Sequence, residues 1–191
     1  MSAPYVELHC HSSFSFLDGA SSPLELATAA AELGYPALGL VDHDGIWGSM
    51  EFAVSCKGAG VRPITGTELT VSAAGRLFHL TLLVEDEAGY RNLCRLVTEA
   101  HAHTRDGQGR QAGQPSLPLE SLAGFTEGLI CLSGCARQGM VASAWAEGDL
   151  ARGTGFARRL LGFFGPDNFR IELQRPFWRH DRARNRWLSE L

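Results

Sequence analysis

The chain has 191 residues with 45% hydrophobic and 20% charged side chains, enough apolar surface for one packed domain and too much for a disordered segment. No apolar run approaches the ~20 residues of a membrane span, and MSAPYVELHCH has no basic region followed by an apolar stretch, so the expected location is the cytoplasm. A net charge of −4 does not mark a bulk polyanion binder. Five cysteines, odd in number and outside paired CxxC clusters, argue against a disulfide framework or a zinc ribbon.

In chain order, Tyr5–Leu8 reads as a short strand. Ser22-Pro23-Leu24-Glu25 is a capping box with proline at the first helical position. The helix it opens carries Leu24, Leu26, Ala27, Ala30 and Leu33 as its apolar stripe and ends at Gly34. Ala37–Val41 follows as a strand, and a helix from Ile46 to about Cys56 is stopped by Gly58 and Gly60. Pro63–Thr65 and Glu68–Ser72 are strand-like, and Ala74-Gly75 is a turn before the strand Phe78–Val84. Glu87–Ala100 is predicted helical, with Tyr90, Leu93, Cys94 and Val97 on one face. Residues 104–116 are polar, Gly- and Gln-rich and linker-like.

Beyond the linker, a short turn at Leu119–Ala123 leads to the strand Leu129–Leu132, and helices are expected near Ala136–Ala146 and Leu150–Phe163. A strand at Phe169–Leu173 precedes a helix at Asp181–Leu191, whose Trp187, Leu188 and Leu191 form an unfinished apolar face. Six or seven strands alternating with helices predict an α/β fold with a largely parallel sheet, short of a complete eight-unit barrel. From Arg152 to Arg186 nine Arg stand against Asp167, Glu172 and Asp181. That run reads either as a solvated helical surface or as a phosphate-facing patch.

The sharpest chemical signal is His9-Cys10-His11 at the end of the first strand. Residues two apart on a strand share a face, so both imidazoles reach one site while Cys10 turns to the core. Other ligand-type residues also stand at strand ends: Asp42-His43-Asp44, Glu68, His79 and Cys135 in a Ser-Gly-Cys turn. Loops at strand ends converge on one rim in parallel α/β folds. A mixed imidazole–carboxylate set there suits Zn²⁺, Mn²⁺ or Fe, and several ions sharing ligands suit phosphate-ester hydrolysis. Each residue also has a plain reading. His79 fits a core histidine, Glu68 an exposed strand residue, Asp18 a turn former and Cys135 a buried thiol, while His101 and His103 fit helix capping.

Taken together, YVELHCHSSFSFLDGAS, GLVDHDGIWG, GTELTV, FHLTLLVEDEAGYRNLCRL and EGLICLSGC resemble the PHP (polymerase and histidinol phosphatase) domain. More narrowly they resemble the N-terminus of bacterial C-family DNA polymerase III alpha subunits, and most of all the error-prone, damage-response branch. The resemblance implies a distorted β/α, TIM-like barrel of about seven units with up to three divalent ions, Zn or Mn with Fe as a further candidate, at its strand ends. It implies His9, His11, Asp18, His43, Glu68, His79 and Cys135 as metal ligands, Glu68 as the metal bridge, and His101 as a further candidate. No side chain is assigned as the catalytic group, because hydroxide is expected from the metals.

Family members finish the site with an Asp-x-His strand, and no Asp-x-His follows Cys135 here. The expectation is therefore a PHP domain over residues 1–191 that stops before its last strands, or one that pairs with a partner copy or folds with an open barrel edge. The parent is expected to be a DNA-directed DNA polymerase (a nucleotidyltransferase) of replication, DNA damage and repair that copies across lesions. DNA, the rest of the polymerase chain and the sliding clamp are its expected partners, with no membrane. The domain itself is expected to be a phosphoesterase with 3′–5′ exonuclease character. Its rivals are a non-catalytic structural metal module and a stand-alone phosphatase of the histidinol phosphatase type.

Overall fold

A computed structural model describes residues 5–104 and 113–191, so most of the linker-like stretch 104–116 lies outside the described residues. The chain divides into two compact units, Met1–Glu68 and Leu69–Leu191.

The first unit is a β–α–β–α–β succession. It comprises β1 (Glu7–Cys10), α1 (Pro23–Glu32), β2 (Ala37–Leu40), α2 (Ser49–Ala59) and the first half of β3 (Arg62–Ala73). β1 pairs with β2 in parallel, and β2 pairs with β3 in parallel from Ala37↔Arg62 to Leu40↔Thr65. Ser22 caps α1 as predicted, its side chain accepting from the Glu25 amide while Glu25 accepts from the Ser22 amide. The stripe differs from the expected one. Pro23, Ala27 and Ala30 are buried, whereas Leu24 and Leu33 are exposed. α1 packs on α2, and small side chains let the two helices approach, so the leucines at the margins of the stripe stay in water.

α2 begins at Ser49, three residues later than the sequence suggests, because 45–48 form the turn that leaves the β2 end. The unit's core is Ala27, Ala30, Leu38, Leu40, Phe52, Cys56 and Val61, with Cys10 packed against it as the alternation of β1 requires.

In the second unit the two strand-like runs around Gly66 prove to be one 12-residue strand, β3, turning at Ala74-Gly75 into β4 (Arg76–Val84). Both turn residues have positive φ, the geometry that closes a tight hairpin. The sheet is mixed here rather than largely parallel. β4 runs antiparallel to β6 (Leu129–Leu132), β6 parallel to β7 (Phe169–Arg170), and β5 (Leu117–Pro118) parallel to β3. α3 (Glu87–His101) buries Gly89, Leu93, Leu96 and Ala100, a face one position away from the predicted one. Its rotation is set by Gly89, whose Cα side lies against the Gly128 carbonyl.

The 3₁₀ turn Leu119–Gly124 leads into β6. The helix expected over 136–146 is shorter, α4 (Ala142–Ala146), because 135–141 fold back along β4. α5 (Leu150–Asn168) is interrupted at Gly165 before Pro166, and α6 spans Asp181–Ser189. Among the described residues no helix is long and apolar enough to cross a membrane.

Candidate metal centre

The first unit brings His9, His11, Asp18, His43 and Glu68 together. β1 is bulged between Glu7 and Cys10, which re-aims its end without breaking the alternation of His9 and His11. His43 and Glu68 are locked by the backbone. The two residues form a parallel bridge, the Asp44 amide donates to the Glu68 carbonyl at 2.9 Å, and the Glu68 amide donates to the Asp42 carbonyl at 3.2 Å. Asp44 has φ +47, a left-handed turn that aspartate tolerates and that turns the chain away directly after His43.

Glu68 is 1% exposed, so the reading as an exposed strand residue is overturned. One carboxylate oxygen lies 3.2 Å from His9 Nε2, and the other lies 2.9 Å from His43 Nδ1 and 3.6 Å from His11 Nε2. Asp18 stands on the opposite side, its Oδ2 3.1 Å from His11 Nδ1 and 3.0 Å from His43 Nε2. Asp18 is therefore more than a turn former.

The loop that delivers Asp18 is built on Asp42, a strand-end carboxylate that the sequence reading grouped with the ligand types and that serves here as a buried hydrogen-bond acceptor. Asp42 accepts hydrogen bonds from the Ser12 amide at 2.8 Å, the Ser12 hydroxyl at 2.8 Å and the Ser15 hydroxyl at 2.7 Å. Ser15 Oγ in turn accepts from the His43 amide at 3.1 Å, tying the loop to the second histidine block. Gly19 closes the loop where a Cβ would sit 1.9 Å from the Ser12 carbonyl oxygen. The sequence signal for this hub was the place of Asp42 directly after the second strand; its serine partners carried none.

The two carboxylates favour positive charge among the three imidazoles. Hydrogen bonding to Glu68, reinforced by Asp18, raises His43 to about 9 against the opposing effect of burial. Burial lowers His11, and the hydrogen bond with His43 lowers Asp18. A divalent ion competes for the same lone pairs as the His43 proton, so binding one releases that proton. The donor set fits such an ion. Ligand atoms of His9, His11 and Glu68, and again of His11, Asp18 and His43, all lie within 4.8 Å of one another. His11 Nε2 is buried without a hydrogen-bond partner, an arrangement that a metal bond would satisfy.

The remaining expected ligands belong to the second unit. His79, on β4, is half-buried and lines a cavity of about 310 Å³ with Arg76, Phe78 and Arg137. Its amide donates to the Gln138 carbonyl at 2.9 Å. The Ser-Gly-Cys turn folds against that segment. Gly134 has φ +90 and its Cβ direction meets the His79 carbonyl oxygen at 2.1 Å, while Cys135 Sγ accepts from the Gln138 amide at 3.3 Å. His101 sits in the last turn of α3, where its carbonyl accepts from Thr104. His103 is 3.3 Å from the Gln114 carbonyl.

The strand ends of this mixed α/β chain gather imidazoles and carboxylates into groups that could hold a metal ion. Residues 7–176 match the PHP domain family, and the chain belongs to it. It is 41% identical to an error-prone DNA polymerase of Symbiobacterium thermophilum over 98% of its own length and 18% of that protein's. It is 36% identical to a DNA polymerase III subunit alpha of Treponema pallidum over 89% of its length and 15% of that protein's. The chain thus spans less than a fifth of these relatives. A putative metal-dependent phosphoesterase from Bifidobacterium adolescentis shares the fold, with a TM-score of 0.55 and 16% identity over 80% of this chain and 76% of that one. That likeness agrees with the expected PHP fold.

Proposed function

We propose that this chain is the N-terminal PHP module of an error-prone DNA polymerase III alpha-type enzyme, and that it holds divalent ions, Zn or Mn, for phosphoesterase chemistry at DNA 3′ ends. The observation that carries the reading is the convergence of three imidazoles and two carboxylates within 4.8 Å ligand spacings in the first unit. His9, His11 and one oxygen of Glu68 would hold one ion, and Asp18 and His43 with the other Glu68 oxygen a neighbouring one. His79, Cys135 and His101 are further ligand candidates.

A bound divalent ion supplies Lewis-acid neutralisation of a phosphate and a water of lowered pKa. The chain's own residues set the conditions for this. Glu68, buried between His9 and His43, fixes imidazole orientation, and His43 gives up its proton when an ion binds. The first unit carries eight acidic side chains against Lys57 and Arg62 alone, so a polyanionic substrate is repelled until cations load. In the whole polymerase, DNA, the remaining polymerase chain and the sliding clamp would be partners in cytoplasmic translesion synthesis.

The test is metal content by elemental mass spectrometry, with a His9→Ala/His43→Ala double variant beside it. Two or more equivalents lost in the variant, together with metal-dependent release of nucleotides from a 3′-labelled single-stranded oligonucleotide, support the reading. A folded chain that takes up no metal in either form refutes it. Uptake without hydrolysis leaves a structural metal module. Faster hydrolysis of a small phosphomonoester than of DNA points to a phosphatase.

A further inference from the structure

The metal centre makes no use of the Arg-rich run that ends the chain. Its last part, from Glu172 through α6, forms a loop pinned at its base and open at its tip. The Glu172 amide donates to Ser133 Oγ at 2.9 Å, and Gln174 Oε1 accepts from the Ala136 amide at 2.8 Å. The Gln174 carbonyl accepts from Arg184 at 2.8 Å and from Asn185 at 2.9 Å, and the Trp178 amide donates to Asp181 at 2.9 Å.

Between these anchors Arg175–Arg179 project into water. Phe177 is 92% exposed with φ +62, a left-handed backbone that disfavours an aromatic residue, and Trp178 is 50% exposed. Packing does not account for a large ring held out in a strained conformation.

Between Gln174 and Ser189 the exposed charge has one sign. Asp181, the only acidic residue between Glu172 and Glu190, is buried against Arg184 at 3.0 Å. Arg175, Arg179, Arg182 and Arg186 are exposed, and none is held in an ion pair among the described residues. Arg175 and Arg179 flank the two rings. Arg182 and Arg186, four apart on α6, share a helix face.

We propose that this loop and the exposed face of α6 form a docking surface for single-stranded nucleic acid, with Phe177 and Trp178 stacking on bases and the four arginines meeting phosphates. Two adjacent exposed rings flanked by Arg175 and Arg179 offer stacking faces for unpaired bases beside cations for their phosphates, a combination for which an acidic peptide has no use.

The experiment is fluorescence anisotropy of a labelled single-stranded oligonucleotide of about 12 nucleotides, titrated with the full chain. It is done in EDTA, so that loss of binding here is distinguishable from failure of the metal centre. Phe177→Ala/Trp178→Ala is expected to weaken binding at least about tenfold, and Phe177→Tyr/Trp178→Phe to restore it. Arg175→Gln/Arg179→Gln should reduce the slope of log affinity against log salt by roughly 1.4, whereas Arg95→Gln on α3 should leave it unchanged.

Circular dichroism melts confirm folding, which the exposed positions of both rings predict to be preserved. The proposal is overturned if the chain fails to bind at about 50 mM salt. It is equally overturned if duplex DNA or polyglutamate binds as tightly as the single strand, or if the ring-less variant binds unchanged.

Discussion

Asp42→Ala tests whether a buried carboxylate holds the loop that presents His11 and Asp18. The native carboxylate serves three donors, the Ser12 amide, the Ser12 hydroxyl and the Ser15 hydroxyl, at 2.7–2.8 Å. Asp42 and both serines are buried, so each donor loses its partner where water is scarce. Stranding a buried donor costs ~1–3 kcal/mol, which for three donors spans ~3–9 kcal/mol. The space vacated by the carboxylate admits some water and both hydroxyls can rotate, which places the expected cost near the lower end, at about 3–5 kcal/mol.

That corresponds to a fall in melting temperature on the order of 10 °C. Metal affinity measured by calorimetry should fall with it, because Ser15 also accepts from the His43 amide. Asp42→Asn, which keeps one acceptor oxygen, should cost about half as much. If Asp42→Ala unfolds within about 1 kcal/mol of the wild type and takes up metal unchanged, the hub does not position the loop.

Three further outcomes follow from the same geometry. Saturating Mn²⁺ or Zn²⁺ should raise the stability of the wild-type chain by about 2.7 kcal/mol at a hundredfold excess over Kd, and Glu68→Gln should abolish that rise in a thermal melt. An equal rise in the variant would remove Glu68 from the ligand set. Hydrogen bonds from Arg76 and then Arg152 hold the Glu147 carboxyl down to about 2 from an ordinary 4.5. A lowered folded value means that this stabilisation is present above about 4.5 and is lost as pH falls towards 2. Glu147→Gln should therefore flatten the acid side of the stability profile, and an unchanged profile would show the cluster to be inert. Gly134→Ala should destabilise the Ser-Gly-Cys turn strongly, since φ is +90 and the new Cβ would lie 2.1 Å from the His79 carbonyl oxygen; a normal urea midpoint would contradict this.

Much of the local structure was legible in the sequence because it rests on short-range chemistry. The Ser22–Glu25 capping box, the Ala74-Gly75 turn and the opposed faces of His9 and Cys10 all depend on neighbours a few residues away. Periodicity located α1 and α3 but misjudged their buried faces. Helix rotation is set by what packs against the helix, small residues between α1 and α2 and the Gly89–Gly128 contact beneath α3.

The candidate site divides along the same line. Strand-end placement in the sequence points to His9, His11, Asp42, His43 and Glu68. Whether Glu68 was exposed or buried, and whether Asp18 closed a turn or faced two imidazoles, depended on partners 25 to 60 positions distant. The role of Asp42 as a buried acceptor belongs wholly to the second kind, because its donors lie about 30 residues upstream and become neighbours only when β1 pairs with β2. The sequence by itself determined which residue types were available for a cation and on which elements they ride. Tertiary structure alone decided which of them meet and which lose water, because pKa shifts, buried carboxylates and shared ligand positions are properties of pairs that chain order does not specify.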